Sequence, residues 1–177
     1  MVKSYNLDAA IRKIPNFPEE GILFYDITSI LTNPEAFRYC IDSIVAQYRD
    51  SGIDAVACIE ARGFLFAAPV AEKLGLPIVL VRKKGKLPGK TLEKTFTLEY
   101  GTDTVQVHEA DVRTGTNYLV IDDLIATGGT VKAAVELIEE VGAKVHEVCC
   151  IIGLPFLPYK ELLAGYTVRT LIDYESE

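Results

Sequence analysis

The chain's pattern predicts an α/β architecture, a parallel sheet flanked by helices on both faces, and three observations carry that prediction. Short apolar, β-branched runs alternate with stretches of helical periodicity. Such alternation suits strands buried on both sides better than strands with one wet face. Two of the runs end in polar or glycine-bearing loops, Glu60-Ala-Arg-Gly and Asp122–Thr130, that lead into helical sequence.

The elements follow in order. The first 35 residues contain Pro15, Pro18 and Pro34 and no long periodic segment, so they are expected to form a separate cap. Strands are expected at Ala55–Ile59, Pro77–Val81, Tyr118–Ile121, Val145–Ile152 and Thr167–Ile172, and helices near Pro34–Asp50, Phe64–Leu74 and Val131–Val141. Between Val81 and Ala110 the pattern turns charged and is broken by proline and glycine. Thr95-Phe-Thr-Leu-Glu-Tyr then suggests a hairpin standing off the sheet. At 177 residues, 49% apolar and 24% charged, the chain has the size of one domain with a substantial core, 1–177.

Composition excludes several classes. A net charge of −7 argues against general affinity for nucleic acid or an anionic membrane. No apolar run reaches the length of a bilayer span, and Met1–Asp8 lacks a signal peptide's hydrophobic stretch, so a cytoplasmic protein is expected. Cys40, Cys58, Cys149 and Cys150 show no C-x-x-C spacing and are expected to be buried thiols in a reducing compartment. His108 and His146 are isolated and receive no ligand role.

The most informative segment is Tyr118–Thr130, a strand that delivers Asp122 and Asp123 to a hydroxyl- and glycine-rich turn. Gly128 and Gly129 permit close backbone approach to an anion, and Thr127 and Thr130 add hydroxyl donors. The following helix aims unpaired N–H groups and a positive dipole end at the same place. The carboxylates would repel a phosphate but suit a neighbouring diol, so a ribose 5-phosphate is the implied ligand. The lysine of a nucleoside-triphosphate P-loop and the Gly-x-Gly-x-x-Gly of a dinucleotide site are both missing. Arg82, Lys83, Lys84, Lys86 and Lys90 concentrate basic charge in an acidic chain. They read either as a solvated loop or, beside Leu87-Pro-Gly, as a hinged lid for pyrophosphate.

The stretch Val120–Thr130 resembles the phosphoribosyl-pyrophosphate signature of the type I phosphoribosyltransferases. Phe17–Ile27, Glu60–Phe64, Arg82–Gly89 and Leu98–Gly101 are similar to further motifs of that family's adenine-using members. The resemblance spans roughly residues 10 to 145, and it implies the family fold with a hood over the base at about 1–35 and a mobile lid and hairpin at about 82–110. It implies transfer of the phosphoribosyl group to adenine, giving AMP and pyrophosphate, with Mg²⁺ held mainly by substrate and waters and no direct protein ligand. It also implies a homodimer.

Roles follow residue by residue. The phosphoribosyl pyrophosphate would be bound by Glu60, Ala61, Arg62, Lys86, Tyr100, Asp122, Asp123, Ala126, Thr127, Gly128, Gly129 and Thr130, across a cis Glu60–Ala61 peptide. Adenine would meet Leu23, Phe24, Tyr25, Arg62 and Leu124. Glu99, Lys86 and Arg62 would act in catalysis, although Glu99 reads by itself as an exposed strand carboxylate and a surface arginine after a turn is the lesser reading of Arg62. Two departures stand out: Tyr25 replaces a usual basic residue, and Gly153–Pro158 replaces a Glu-Leu start and a Gly-Arg turn. Family members for hypoxanthine, guanine or xanthine remain the nearest alternative. A regulator that binds the same sugar without catalysis would need a DNA-binding extension, for which an acidic chain of 177 residues is expected to leave no room.

Overall fold

The computed structural model describes residues 4–98 and 101–176. Its two-stranded sheet pairs β1 (Arg12–Pro15) with β2 (Leu23–Asp26), antiparallel, and a short α1 (Thr28–Leu31) follows. The remaining elements are α2 (Pro34–Tyr48), β3 (Ala55–Ile59), α3 (Gly63–Leu74), β4 (Ile78–Lys83), β5 (Thr91–Leu98), β6 (Gly101–His108), β7 (Asn117–Ile125), α4 (Gly129–Glu139), β8 (Lys144–Gly153), α5 (Tyr159–Leu162) and β9 (Val168–Asp173). They form a seven-stranded sheet of order β5-β6-β4-β3-β7-β8-β9. From β4 to β9 all neighbours run parallel.

Local chemistry explains the main elements. Helix α2 starts where the Asn33 side chain accepts from the N–H groups of Glu35 and Ala36, with Pro34 preorganising the first turn. Its buried residues, Ala36, Cys40, Ile41, Ile44, Val45 and Tyr48, recur at helical spacing. Helix α3 ends at Gly75 in the left-handed region, φ 69°, which closes the last carbonyls. Strand β3 is buried at all five positions because it lies inside the sheet. Its Val56 and Cys58 join the apolar cluster under α2 and α3, while Ala55, Ala57 and Ile59 join the one under α4.

Chain order reverses between β3 and β7. The path runs outward from β3 to β4 through α3, and outward the other way from β7 to β8 through α4. A crevice beyond the carboxyl ends of strands at such a switch is where open α/β sheets take ligands.

Three expectations are corrected. The hairpin does not stand off the sheet: β6 pairs antiparallel with β4 at Arg82↔Gln106 and Lys83↔Val105, which caps an otherwise open edge. Strand β7 continues through both aspartates to Ile125, because β8 keeps pairing with it as far as Gly153. Helix α4 begins at Gly129, two residues before the expected start. In the altered stretch, Gly153 ends β8 and Leu154–Pro158 turns into α5. All four cysteines are free and buried, and no described helix is long and apolar enough to cross a membrane.

Candidate active site

The loop from Ala126 to Thr130 joins β7 to α4 at the switch point, and with Asp122, Leu124, Ile125 and Val131 it lines a cavity of about 120 Å³. Gly128 caps α4 with φ 85°, a conformation that L side chains rarely adopt. A Cβ there would lie 2.9 Å from Tyr159 Cβ, so α5 seals the loop from behind. A Cβ on Gly129 would meet the Phe96 ring of β5 at 3.3 Å. The hairpin therefore rests on the first turn of α4. Glu99 and Tyr100, between β5 and β6 in the sequence, lie outside the described residues.

Asp122 and Asp123 are 8% and 5% exposed. Asp122 Oδ1 accepts the Asp123 N–H at 2.8 Å. Burial, then the neighbouring Asp123 charge, pushes the Asp122 carboxyl well above the usual carboxylate range. Arg62, at the start of α3, donates from Nε to Asp123 Oδ2 at 2.5 Å. Gly63 beside it permits this approach, since a Cβ would stand 2.9 Å from Asp122 Oδ1. The β3 loop and the β7 carboxylates thus meet across the switch point, although 61 residues separate Arg62 from Asp123.

The Glu60–Ala61 peptide is cis. Glu60 accepts from Arg82 Nε at 2.7 Å, and Arg82 Nη1 donates to the Lys86 carbonyl at 3.2 Å. Arg82 therefore ties the basic loop to the loop after β3. Sequence reasoning counted it only as one cation of the run, since nothing local separates it from Lys83 or Lys84. Those two lysines pair with Asp103 and Glu93. Lys86 is exposed and forms no ion pair among the described residues.

Leu23, Phe24 and Tyr25 lie on β2. Leu23 and Leu124 pack against the same apolar cluster, the one under α2 and α3. Phe24 meets Phe17 edge-on at 5.0 Å, whereas Tyr25 is only 6% exposed and stacks on Tyr174. Tyr159 and Tyr174, both next to the site's supports, carried no signal in the sequence because each works through a partner distant along the chain. A larger cavity of about 350 Å³, lined by Asp54, Pro77, Asp111 and Arg113 among others, lies at the opposite, amino ends of the strands.

A parallel sheet with an anion loop at a helix start, two buried carboxylates at its edge and an arginine across the switch point defines an enzyme that handles a phosphorylated sugar. Residues 26–161 match the phosphoribosyl transferase domain. The adenine phosphoribosyltransferase of Treponema denticola is 56% identical over 177 residues, covering 100% of this chain and 93% of that protein. The crystal structure of adenine phosphoribosyltransferase from Thermoanaerobacter pseudethanolicus matches with a TM-score of 0.90 and 42% identity, over 95% of this chain and 98% of that one. The Trypanosoma brucei enzyme, solved with AMP, pyrophosphate and ribose-5-phosphate, matches with a TM-score of 0.86 and 30% identity, over 94% of this chain and 77% of that one. The chain belongs to the phosphoribosyl transferase family, among its adenine phosphoribosyltransferases.

Proposed function

We infer that this chain transfers the 5-phosphoribosyl group of phosphoribosyl pyrophosphate to adenine, giving AMP and pyrophosphate in purine salvage. The observation that carries the reading is the Ala126–Thr130 loop at the start of α4, with Asp122 lining the same cavity and Asp123 beside it, held by Arg62. The 5-phosphate is held by loop N–H groups and by Thr127 and Thr130, while the two carboxylates accept from the ribose diol. Arg62, Ala61 and Glu60 form the pyrophosphate loop, and Arg62 also borders the adenine. Tyr100 contacts the sugar diphosphate. Backbone atoms of Leu23 and Tyr25 read the adenine edge, Leu124 borders the ring, and Phe24 stacks on it.

Substitution at the anomeric carbon breaks the bond to pyrophosphate as N9 of adenine forms its own, and positive charge builds on the sugar. Asp122 and Asp123 stabilise that charge. Lys86, exposed on the loop that Arg82 anchors, closes on the departing diphosphate as a lid. Glu99 shares a proton with the purine ring as N9 attacks. Holding both substrates in one orientation is worth on the order of 7–11 kcal/mol. Magnesium on the diphosphate would neutralise leaving-group charge, and the hard oxygens of Asp122 and Asp123 suit its hydrated form.

A homodimer and a cytoplasmic setting belong to the same reading. Ile78 and Leu80 of β4 share a sheet face with Val56 and Cys58, yet they are 37% and 36% exposed, and Leu65 of α3 is 48% exposed. Those side chains suit a partner subunit. The four unpaired cysteines suit a reducing compartment.

A spectrophotometric assay of AMP formation across a panel of purines, with and without magnesium, tests the reading. Turnover of adenine that needs magnesium is expected. Turnover of hypoxanthine or guanine in its place would overturn the base assignment.

A further inference from the structure

We propose that Tyr174 is a positioning residue for the base: stacked on Tyr25, it fixes the β1–β2 sheet against the end of β8 and so sets where β2 presents adenine to the phosphate loop. The proposal deepens the functional reading above and rests on its assignment of β2 to the base.

Neither β1 nor β2 pairs with a strand of the main sheet. Their placement therefore depends on side chains. Lys13 and Tyr25 face each other across the two strands, and both engage Tyr174. The Tyr25 and Tyr174 rings lie 3.8 Å apart and 15° from parallel, and Lys13 Nζ sits 5.2 Å from the Tyr174 centroid. The Tyr174 hydroxyl donates to Asp8 Oδ1 at 2.7 Å, and the same oxygen receives Lys13 at 2.7 Å. Tyr25 returns the contact by donating to the Ser176 carbonyl at 3.2 Å.

The other end of the latch is equally specific. The Tyr174 N–H donates to the Gly153 carbonyl at 3.0 Å. Gly153 is the last residue of β8 and pairs with Ile125, the residue before the phosphate loop. Leu154 N–H also donates to the Ile125 carbonyl at 3.0 Å. One tyrosine thus connects the loop for the sugar to the strand for the base. Successive residues of a strand point to opposite faces, so clamping the Tyr25 ring on one side of β2 directs Phe24 to the other. The departure from a basic residue at position 25 is consistent with this: an aromatic ring makes the stack.

Steady-state kinetics on wild type, Tyr174→Ala and Tyr174→Phe decide the matter. Tyr174→Ala is expected to raise the adenine KM roughly tenfold, the size of effect that loss of a stacked pair and its cation contact gives. The KM for phosphoribosyl pyrophosphate should move by less than about twofold, because the phosphate loop is built on β7 and α4. Tyr174→Phe keeps the stack and should stay near wild type. Hydrogen exchange should quicken over residues 12–26 in Tyr174→Ala and stay unchanged over 117–130. Tyr174→Leu, which keeps apolar volume without the stack, gives the same readouts if the alanine variant aggregates. An unmoved adenine KM, an equal rise in both KM values, or Tyr174→Phe as impaired as Tyr174→Ala would each overturn the proposal. Failure of the functional reading would look different, since the wild type itself would then make no AMP.

Discussion

The Ala126–Thr130 loop and the β1–β2 sheet, which we propose serve the two halves of one reaction, are built in opposite ways. The loop hangs from β7, which pairs with β3 over Tyr118–Ile121 and with β8 as far as Ile125, and is closed by α4, α5 and the Phe96 ring. Its functional residues are neighbours in sequence. The β1–β2 sheet pairs only with itself and is held by contacts such as Tyr25 to Ser176, 151 residues apart. One region is rigid because of backbone ladders, the other because of side chains. Disturbance of the first should therefore abolish sugar binding, whereas disturbance of the second should shift base affinity by graded amounts.

The largest effect is expected from Gly128→Val. A branched residue at φ 85° is strained, and its Cβ would press on Tyr159 at 2.9 Å, for a combined cost of about 2–5 kcal/mol. The side chain points at α5 and not into the cavity, so the loop is lost through displacement. Titration calorimetry should show no binding of phosphoribosyl pyrophosphate, alongside a lowered Tm. Unchanged affinity in a folded variant would mean the loop holds something else. Next comes Glu99→Leu, expected to cut kcat by roughly 10²–10⁴-fold, the usual worth of general acid–base help. Wild-type turnover at saturating adenine would return Glu99 to the status of a solvated strand residue.

Legibility in the sequence follows the same division. The strand-loop-helix from Tyr118 to Thr130 was plain because its chemistry is contiguous, and the centre of the sheet was plain because runs such as Ala55–Ile59 and Tyr118–Ile121 are apolar throughout. The extension of β7 through Asp122 and Asp123 was not, since two carboxylates in a central strand contradict local propensity and persist only through β8 pairing. The hairpin's attachment to β4 was hidden for a related reason: register between strands is a tertiary fact. Arg82, Tyr159 and Tyr174 were hidden because each acts on a residue remote in sequence or shielded within a run of like charges.

Lys86→Ala probes the proposed lid. Removing one charge-assisted contact to the diphosphate should lower kcat by roughly 10–100-fold and leave the adenine KM nearly unchanged. Movement of the adenine KM alone would transfer the loop to base recognition.

The smallest effects compare one carboxylate from each region, and their signs are opposite. In the phosphate site the Asp122 carboxyl is raised, by burial first and the Asp123 charge second. The folded protein then holds that proton more tightly than the unfolded chain, so the stability it brings is full below the unfolded carboxylate range, near 4, and is lost as pH rises through the folded pKa. Asp122→Asn keeps an acceptor for the Asp123 N–H and cannot ionise. Without ligand its Tm should equal the wild type's at about pH 4 and exceed it increasingly toward neutrality. At the end of β2, Asp26 is lowered: the Thr28 hydroxyl is the main cause, and the Thr28 N–H and Arg12 assist against burial. Its contribution is present above the unfolded carboxylate range and lost as pH falls through the folded value. Asp26→Asn should therefore be less stable than wild type near neutrality, with the gap closing in acid. Thermal melts of both variants from pH 4 to 8 check the pair. Curves of the same sign would show that the buried carboxylates of the sugar site carry no more electrostatic tension than an ordinary turn cap, and the contrast between the regions would then rest on packing alone.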